Sequence, residues 1–207
     1  MLTLAFDSCM DKVYAVLVKD GAVLTSHKED FNSNGGRSSD ILRIVKEILL
    51  NNGLNFNDID LVATNIGPGS FTAIRTCLTV ARIIGQELGK KVIGISTFEI
   101  LNNLPVETNG KKKLIVLDAR RQSAYTLLEG GEAQITPLTE LKNLIKDDYF
   151  VIADRKMSEI TGGLAYESLD LNLAEIIAQT AIRKSQTETG EWGRLQPLYM
   201  NSPAEKA

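Results

Sequence analysis

Histidine is almost missing from this chain. Of 207 residues one is a histidine, His27, inside a segment that reads as a strand. Chemistry built on histidine pairs is therefore excluded. No His-Glu-x-x-His or His-x-x-x-His spacing exists, so there is no zinc-protease helix. There is no Gly-x-Ser-x-Gly elbow, and His27 lies in no hydrolase motif. Cysteine is scarce as well: Cys9 and Cys77 are the two present, far apart in sequence. A secreted disulfide scaffold carries more, so reduced thiols in a cytoplasmic protein are expected. A zinc site of histidine and cysteine needs several ligands at close spacing, which this sequence does not supply, so neither metal nor cofactor is expected. No apolar run approaches the roughly 18 residues needed to cross a bilayer. Residues 1–6 carry no basic segment before Asp7, unlike a signal peptide. A soluble protein with no membrane partner is the expectation. Neither sign of charge dominates: 23 basic and 26 acidic side chains leave a net charge of −3. Autonomous nucleic-acid binding usually shows a basic stripe, and none is evident. Work on RNA through a partner stays compatible. The basic run Lys111-Lys112-Lys113 reads as a solvated loop or as a phosphate contact.

What is present is 43% hydrophobic and 24% charged, enough for one large domain or two small lobes with real cores. Residues 2–6, 12–19 and 22–31 read as three strands, with Asp20-Gly21 as a hairpin turn. Residues 32–36 are a loop by composition. Ser38 or Ser39 is the expected cap of a helix reaching about Asn52. Its apolar positions, which include Ile41 and Val45, cover more than one face and predict burial on two sides. A fourth strand over 59–66, a helix to about Leu88 and a fifth strand over 92–95 follow. Ser96-Thr97 should cap a short helix. The polar stretch 105–113 is the expected boundary, giving an N-terminal lobe of residues 1–104 and a smaller C-terminal lobe of residues 105–207. Residues 114–118 then repeat the opening pattern of an apolar strand ending in an acid. Strands over 123–129 and 149–153 and helices over 138–145 and 173–184 complete the second half.

The densest local signal is Gly67-Pro68-Gly69-Ser70-Phe71-Thr72-Ala73-Ile74-Arg75. Two glycines around a proline make a tight turn. Ser70 or Thr72 can cap the helix that follows. The turn is either a plain strand-to-helix connection or, at a helix N-terminus, a cradle for an anion. It is not the nucleotide phosphate loop, because no lysine follows its last glycine. Asp7 and Asp118 both end strands, where they could hold a metal-nucleotide or simply form turns. Asp7, Gly67, Gly69, Ser70 and Asp118 are thus the candidates for a residual nucleotide site.

Strand-strand-strand-helix-strand-helix followed by a partial repeat resembles the actin, hexokinase and Hsp70 superfamily. The resemblance implies an α/β protein with two ribonuclease-H-like lobes. Active members often show Asp-x-Gly in the second lobe, where this chain has Asp118-Ala119-Arg120-Arg121. That departure argues against ATP turnover. Within the superfamily, five strings stand in order: Ala5-Phe6-Asp7-Ser8, Gly67 to Thr72, Gly94-Ile95-Ser96-Thr97, Leu117 to Arg121 and Pro197-Leu198-Tyr199. Together they resemble the TsaB (YeaZ) family, bacterial partner proteins in threonylcarbamoyladenosine synthesis on tRNA. The chain departs from that pattern at Arg37, at Ala73 and in a short C-terminal lobe.

The resemblance implies a subunit without catalysis of its own. Its partner would be TsaD, which transfers threonylcarbamoyl to the adenosine beside the anticodon of ANN-decoding tRNAs. TsaE would join a larger complex, and tRNA would be met through the assembly. The competing reading is a small-molecule kinase or ATPase of the same fold using Asp7 and Asp118. A glycoprotease is disfavoured by the missing histidine pair. For the partner surface, the helix over 72–88 is apolar almost all round. Either it is a central buried helix, or one face packs inward and the other meets a second chain. On the second reading the interface takes in Ile41 and Val45 with Ala73, Thr76, Cys77, Val80, Ala81, Ile83 and Ile84. Without TsaD the same patch would form a two-fold homodimer.

Overall fold

A computed structural model describes residues 1–31 and 40–200. Arg37 and the expected caps Ser38 and Ser39 lie outside the described residues. The chain divides into two compact units, residues 1–100 with 172–198, and residues 101–171 with 199–200. The first unit opens with three strands, β1 (Leu2–Asp7), β2 (Lys12–Lys19) and β3 (Ala22–Asp30). The β2–β3 turn is Asp20-Gly21, with φ of 51° and 85°, the left-handed pair a tight hairpin needs. Helix α1 (Ile41–Asn51) leads to β4 (Leu61–Asn65). Helix α2 (Phe71–Leu88) leads to β5 (Lys91–Ile95), and the short α3 (Thr97–Asn102) follows. The sheet order is β3-β2-β1-β4-β5, antiparallel on the hairpin side and parallel from β1 onward.

The second unit repeats this plan. Its strands are β6 (Lys112–Arg120), β7 (Ser123–Leu128) and β8 (Gln134–Pro137), then α4 (Leu138–Leu144) and β9 (Tyr149–Ala153). Helix α5 (Arg155–Thr161) and the two-residue β10 (Leu164–Ala165) close it. Read from the hairpin edge, the order is β8-β7-β6-β9-β10, the same as in the first sheet. Two five-stranded mixed sheets of one topology are the two ribonuclease-H-like lobes that the strand order implied. Leu114, Val116, Ala124, Leu141, Val151, Ala153 and Met157 form the second core.

All six residues of β1 are buried, so its sheet is covered on both faces. Leu2, Leu4 and Phe6 enter one cluster with Ile41, Ile44 and Ile48 of α1 and with Ile74, Cys77 and Ala81 of α2. Alternate residues of a strand face opposite ways, so Thr3 and Ala5 face the other side. That side is covered by α6 (Leu173–Lys184), which packs on β1, β2, β4 and β5. The lobe boundary placed at residue 104 is corrected here: residues 172–198 belong to the first unit. The physical reason is the apolar stripe Leu173, Ala174, Ile177, Ala178 and Ala181, which covers the sheet's second face. Burial of α1 on two sides is also corrected. Its buried stripe is Ile41, Ile44, Val45, Ile48 and Leu49, while Leu42 and Leu50 are exposed.

Asn172 fixes the start of α6. Its Oδ1 accepts from Ala174 N at 3.0 Å, while Nδ2 donates to His27 O at 3.0 Å and Ala15 O at 3.4 Å. One amide therefore caps the helix and ties it to β2 and β3. Asn172→Ala should lower stability by about 1–2 kcal/mol in urea unfolding. Asn172→Asp keeps the cap acceptor but cannot donate, and should also be destabilised. An Asp variant as stable as the wild type would mean that the strand tie contributes nothing.

Candidate functional site

Every element that carries the Gly-Pro-Gly turn ends at one place in the first unit. β1 ends at Asp7, β4 ends at Asn65, and residues 66–70 lead into α2. Asn65 Oδ1 accepts from Gly67 N at 2.8 Å and from Thr97 Oγ1 at 3.1 Å. Thr97 Oγ1 also lies 2.6 Å from Pro68 O, and Thr97 N donates to Gly67 O at 2.8 Å. The Gly67–Pro68 peptide is cis, and Gly67 has φ of 102°, which a residue with a side chain would resist. On the far side Leu198 N donates to Ile66 O at 2.8 Å, which places Pro197-Leu198 beside the turn. Asn65 was not singled out from the sequence. Its signal is a buried amide at the end of an apolar strand, immediately before a turn whose N–H groups need acceptors.

Gly69 meets the loop after β1. Ser70 N donates to Cys9 O at 3.1 Å. A β-carbon on Gly69 would stand 2.8 Å from that carbonyl oxygen and 3.3 Å from Cys9 Cβ. Ser70 is the N-cap residue of α2, but its side chain makes no cap hydrogen bond, nor does Thr72 take that place. The expected side-chain cap is therefore corrected: Cys9 and Asn65 hold the turn instead. The N–H groups of Gly67 and Ser70 are already engaged within the protein, so they are not free for a bound anion.

Asp7 is fully buried. Its Oδ1 accepts from Cys9 N at 2.9 Å and its Oδ2 from Met10 N at 3.4 Å. Burial pushes its carboxyl up to about 6, against those N–H groups, which favour the anion. Cys9 and Cys77 are both buried, and Ser8 Oγ contacts Cys77 Sγ at 3.2 Å. Burial, then the Cys77 thiol and the Asp7 carboxylate, push the Cys9 thiol upward. Asp118 lies in the second unit. Burial alone would raise its carboxyl, but the Lys156 ammonium at 2.8 Å and the Arg120 N–H at 2.9 Å hold it below the usual range. The residues that follow, Arg120, Arg121 and Gln122, all have positive φ, from 48° to 63°.

The expected partner residues separate by burial. Ile41, Val45, Ala73, Cys77, Val80, Ala81 and Ile84 are buried in the packing of their own unit. Ile83 is 55% exposed and Thr76 is half-buried. The outer face of α2 instead carries Phe71, Arg75, Thr79 and Ile83, spaced four apart. Arg75 lies over the Phe71 ring at 4.2 Å, and an open groove of about 350 Å³ runs along Phe71, Thr72, Arg75, Thr76, Thr79 and Val80. Among the described residues no helix is long and apolar enough to cross a membrane.

Two sheets of this order, with an acid ending β1, define an α/β protein with the two-lobed ribonuclease-H-like fold. The model of the family described as "TsaD: tRNA N6-adenosine threonylcarbamoyltransferase" matches residues 36–185. The "tRNA threonylcarbamoyladenosine biosynthesis protein TsaB" of Buchnera aphidicola subsp. Schizaphis graminum is 31% identical over 74% of this chain and 78% of its own. The protein of that name in Escherichia coli is 31% identical over 60% of this chain and 53% of its own. YeaZ from Pseudomonas aeruginosa shares the fold with a TM-score of 0.76 at 21% identity, covering 96% of this chain and 99% of that one. The chain belongs to the TsaB (YeaZ) family, a branch of the group that includes the TsaD transferase.

Two outcomes follow from the site. Asp7 has a folded value of about 6 against an ordinary 3.8, so its neutral form is favoured in the fold. This contributes stability that is fully present below about pH 3.8 and is lost as pH rises through about 6. Relative to Asp7→Asn, which does not titrate, the wild type should therefore weaken by up to about 3 kcal/mol between pH 4 and pH 7. Urea unfolding at several pH values checks this, and a constant difference would place the Asp7 titration elsewhere. Gly69→Ala should lower stability by about 1–3 kcal/mol, because the clash is with backbone that cannot step aside. Thermal melting checks it, and an unchanged melting temperature would show that the Cys9 carbonyl yields freely.

Proposed function

We propose that this chain is a non-catalytic subunit in the synthesis of threonylcarbamoyladenosine on tRNA. It binds a TsaD-type transferase and makes it competent to act on the adenosine beside the anticodon of ANN-decoding tRNAs. The observation that carries this reading is the outer face of α2. Phe71 is 42% exposed and Ile83 is 55% exposed, with Arg75 between them on one stripe. Aromatic, arginine and aliphatic anchors on a rigid helix are what protein interfaces concentrate. Family membership supports the choice of partner, because the TsaB relatives carry the pathway in their names.

Chemistry supports the division of labour. The single histidine of the chain, His27, is engaged with Glu29 at 3.2 Å on β3. Asp7 has no open face toward a substrate, and Asp118 is paired with Lys156. Metal-assisted phosphoryl transfer needs positioned acids together with a cradle for phosphates. Here the N–H groups of Gly67 and Ser70 are spent on Asn65 and Cys9. On this reading α2, with α1 beside it, packs against the equivalent helices of the transferase, and the same patch forms a two-fold homodimer when the transferase is absent. TsaE joins a larger complex, and tRNA is met through that complex.

Co-purification with TsaD, followed by reconstitution of tRNA modification with and without this chain, tests the reading. Modification should require the chain. Ile83→Glu should leave the melting temperature within about 2 °C, since exposed substitutions usually change stability by less than about 0.5 kcal/mol. The same variant should weaken capture of TsaD at least tenfold and shift the homodimer toward monomer. Full capture and full reconstitution by that variant would move the interface off α2.

A further inference from the structure

Cys9 and Cys77 are the chain's two cysteines, and the fold brings them to one point. Cys9 follows β1, and Cys77 lies in the second turn of α2. Their sulfurs and a carboxylate oxygen of Asp7 all lie within 4.8 Å of one another. None of the three is more than 3% exposed. Apolar side chains of similar volume would fill this space, yet three ionisable groups converge on it. Asn65 stands beside the same cluster at the end of β4, fully buried, with its side-chain amide bonded to the Asp7 carboxylate.

We propose that Asp7, Cys9 and Cys77 form a binding site for a soft divalent cation, of which zinc is the physiological case. Two sulfurs and one oxygen suit zinc and not magnesium or calcium, which take oxygen ligands in larger numbers. Tetrahedral zinc, with Zn–S of about 2.3 Å and Zn–O of about 2.0–2.2 Å, sets its donor atoms roughly 3.5–3.8 Å apart. The three groups need to contract by about 1 Å at most. The backbone carbonyl oxygen of Asn65, which accepts from Cys9 Sγ at 3.9 Å, or a water would complete the coordination. A ligating carboxylate needs orientation by its neighbours, and the N–H groups of Cys9 and Met10 already orient Asp7.

Charge balance favours the exchange. With neutral thiols and an ionised Asp7 the cluster carries one negative charge. Zinc enters as a dication, both thiols lose their protons to solvent, and the two Zn–S bonds form. The cluster again carries one negative charge, so the exchange adds no net buried charge. Burial that disfavours a bare thiolate thus does not oppose a metal thiolate. The inference does not depend on TsaD binding.

The test uses the full chain, reduced and freed of metal by chelation, with Cd²⁺ as spectroscopic probe and Zn²⁺ for stoichiometry. The expected result is one metal per chain, an ultraviolet charge-transfer band from cadmium–thiolate bonds, and release of two protons per metal. Apparent affinity should rise by about 100-fold per pH unit while the thiols remain protonated. Cys9→Ala and Cys77→Ala should each lose at least 100-fold in affinity, with circular dichroism reporting their fold. If either variant fails to fold, the band and the proton count of the wild type decide alone. No band at equimolar cadmium in the folded wild type overturns the site. So does a band that survives in both variants. Diamide oxidation that consumes both thiols of a chain showing no cadmium band would identify a disulfide pair and also overturn it.

Discussion

The approach of Gly69 to the Cys9 carbonyl is the contact on which the first unit is built. It lets the end of β1 and the start of α2 lie closer than any residue with a β-carbon would allow. The hydrogen bond from Ser70 N to Cys9 O depends on that approach. So does the enclosure of Asp7, whose carboxylate is left to the N–H groups of Cys9 and Met10. Asn65 then completes the joint by holding Gly67 N and Thr97 Oγ1 with one oxygen. Three segments distant in sequence are locked by few atoms. In an apolar surrounding such bonds are hard to replace, because each lost partner leaves a buried polar group unsatisfied.

Two sheets of identical order were legible because strand and turn chemistry is local. Asp20-Gly21 and the acid that ends β1 both act within a few residues. Ser96 and Glu99 form a reciprocal cap at α3, also as the sequence implied. The destination of α6 was not legible. Its apolar stripe says that it covers a sheet, but two sheets of equal plan compete for it. What decides is Asn172, whose amide matches carbonyls on β2 and β3. The helix α5 was missed because only Met157 and Ile160 are apolar in it, too few to show a periodic pattern.

The site was legible in its parts and not in its assembly. Gly67, Gly69 and Asp7 stood out through turn chemistry and position. Cys9 and Cys77 did not, because sequence distance hides a contact made through α2. The arginine turn after Asp118 was read as a missing glycine. In the structure Arg120, Arg121 and Gln122 adopt left-handed φ without glycine, at a strain of about 1–2 kcal/mol per residue. The Arg120 N–H bond to Asp118 and the pairing of β6 with β7 hold the turn in that conformation.

Helix α2 carries two duties that its apolar composition alone could not separate. Ala73, Cys77, Ala81 and Ile84 repeat at three and four residues and face the sheet. Phe71, Arg75, Thr79 and Ile83 repeat at four and face outward. The small residues therefore let the helix approach its own sheet, not a second helix. Gly85 continues that logic, since a β-carbon there would stand 2.4 Å from Val92 Cγ2. An apolar helix read only by composition looks either buried or adhesive, and this one is both on separate faces. Its inner face fixes the joint around Asp7. Any partner pressed on the outer face thus bears on a helix whose first turns are tied to Cys9 and Asn65.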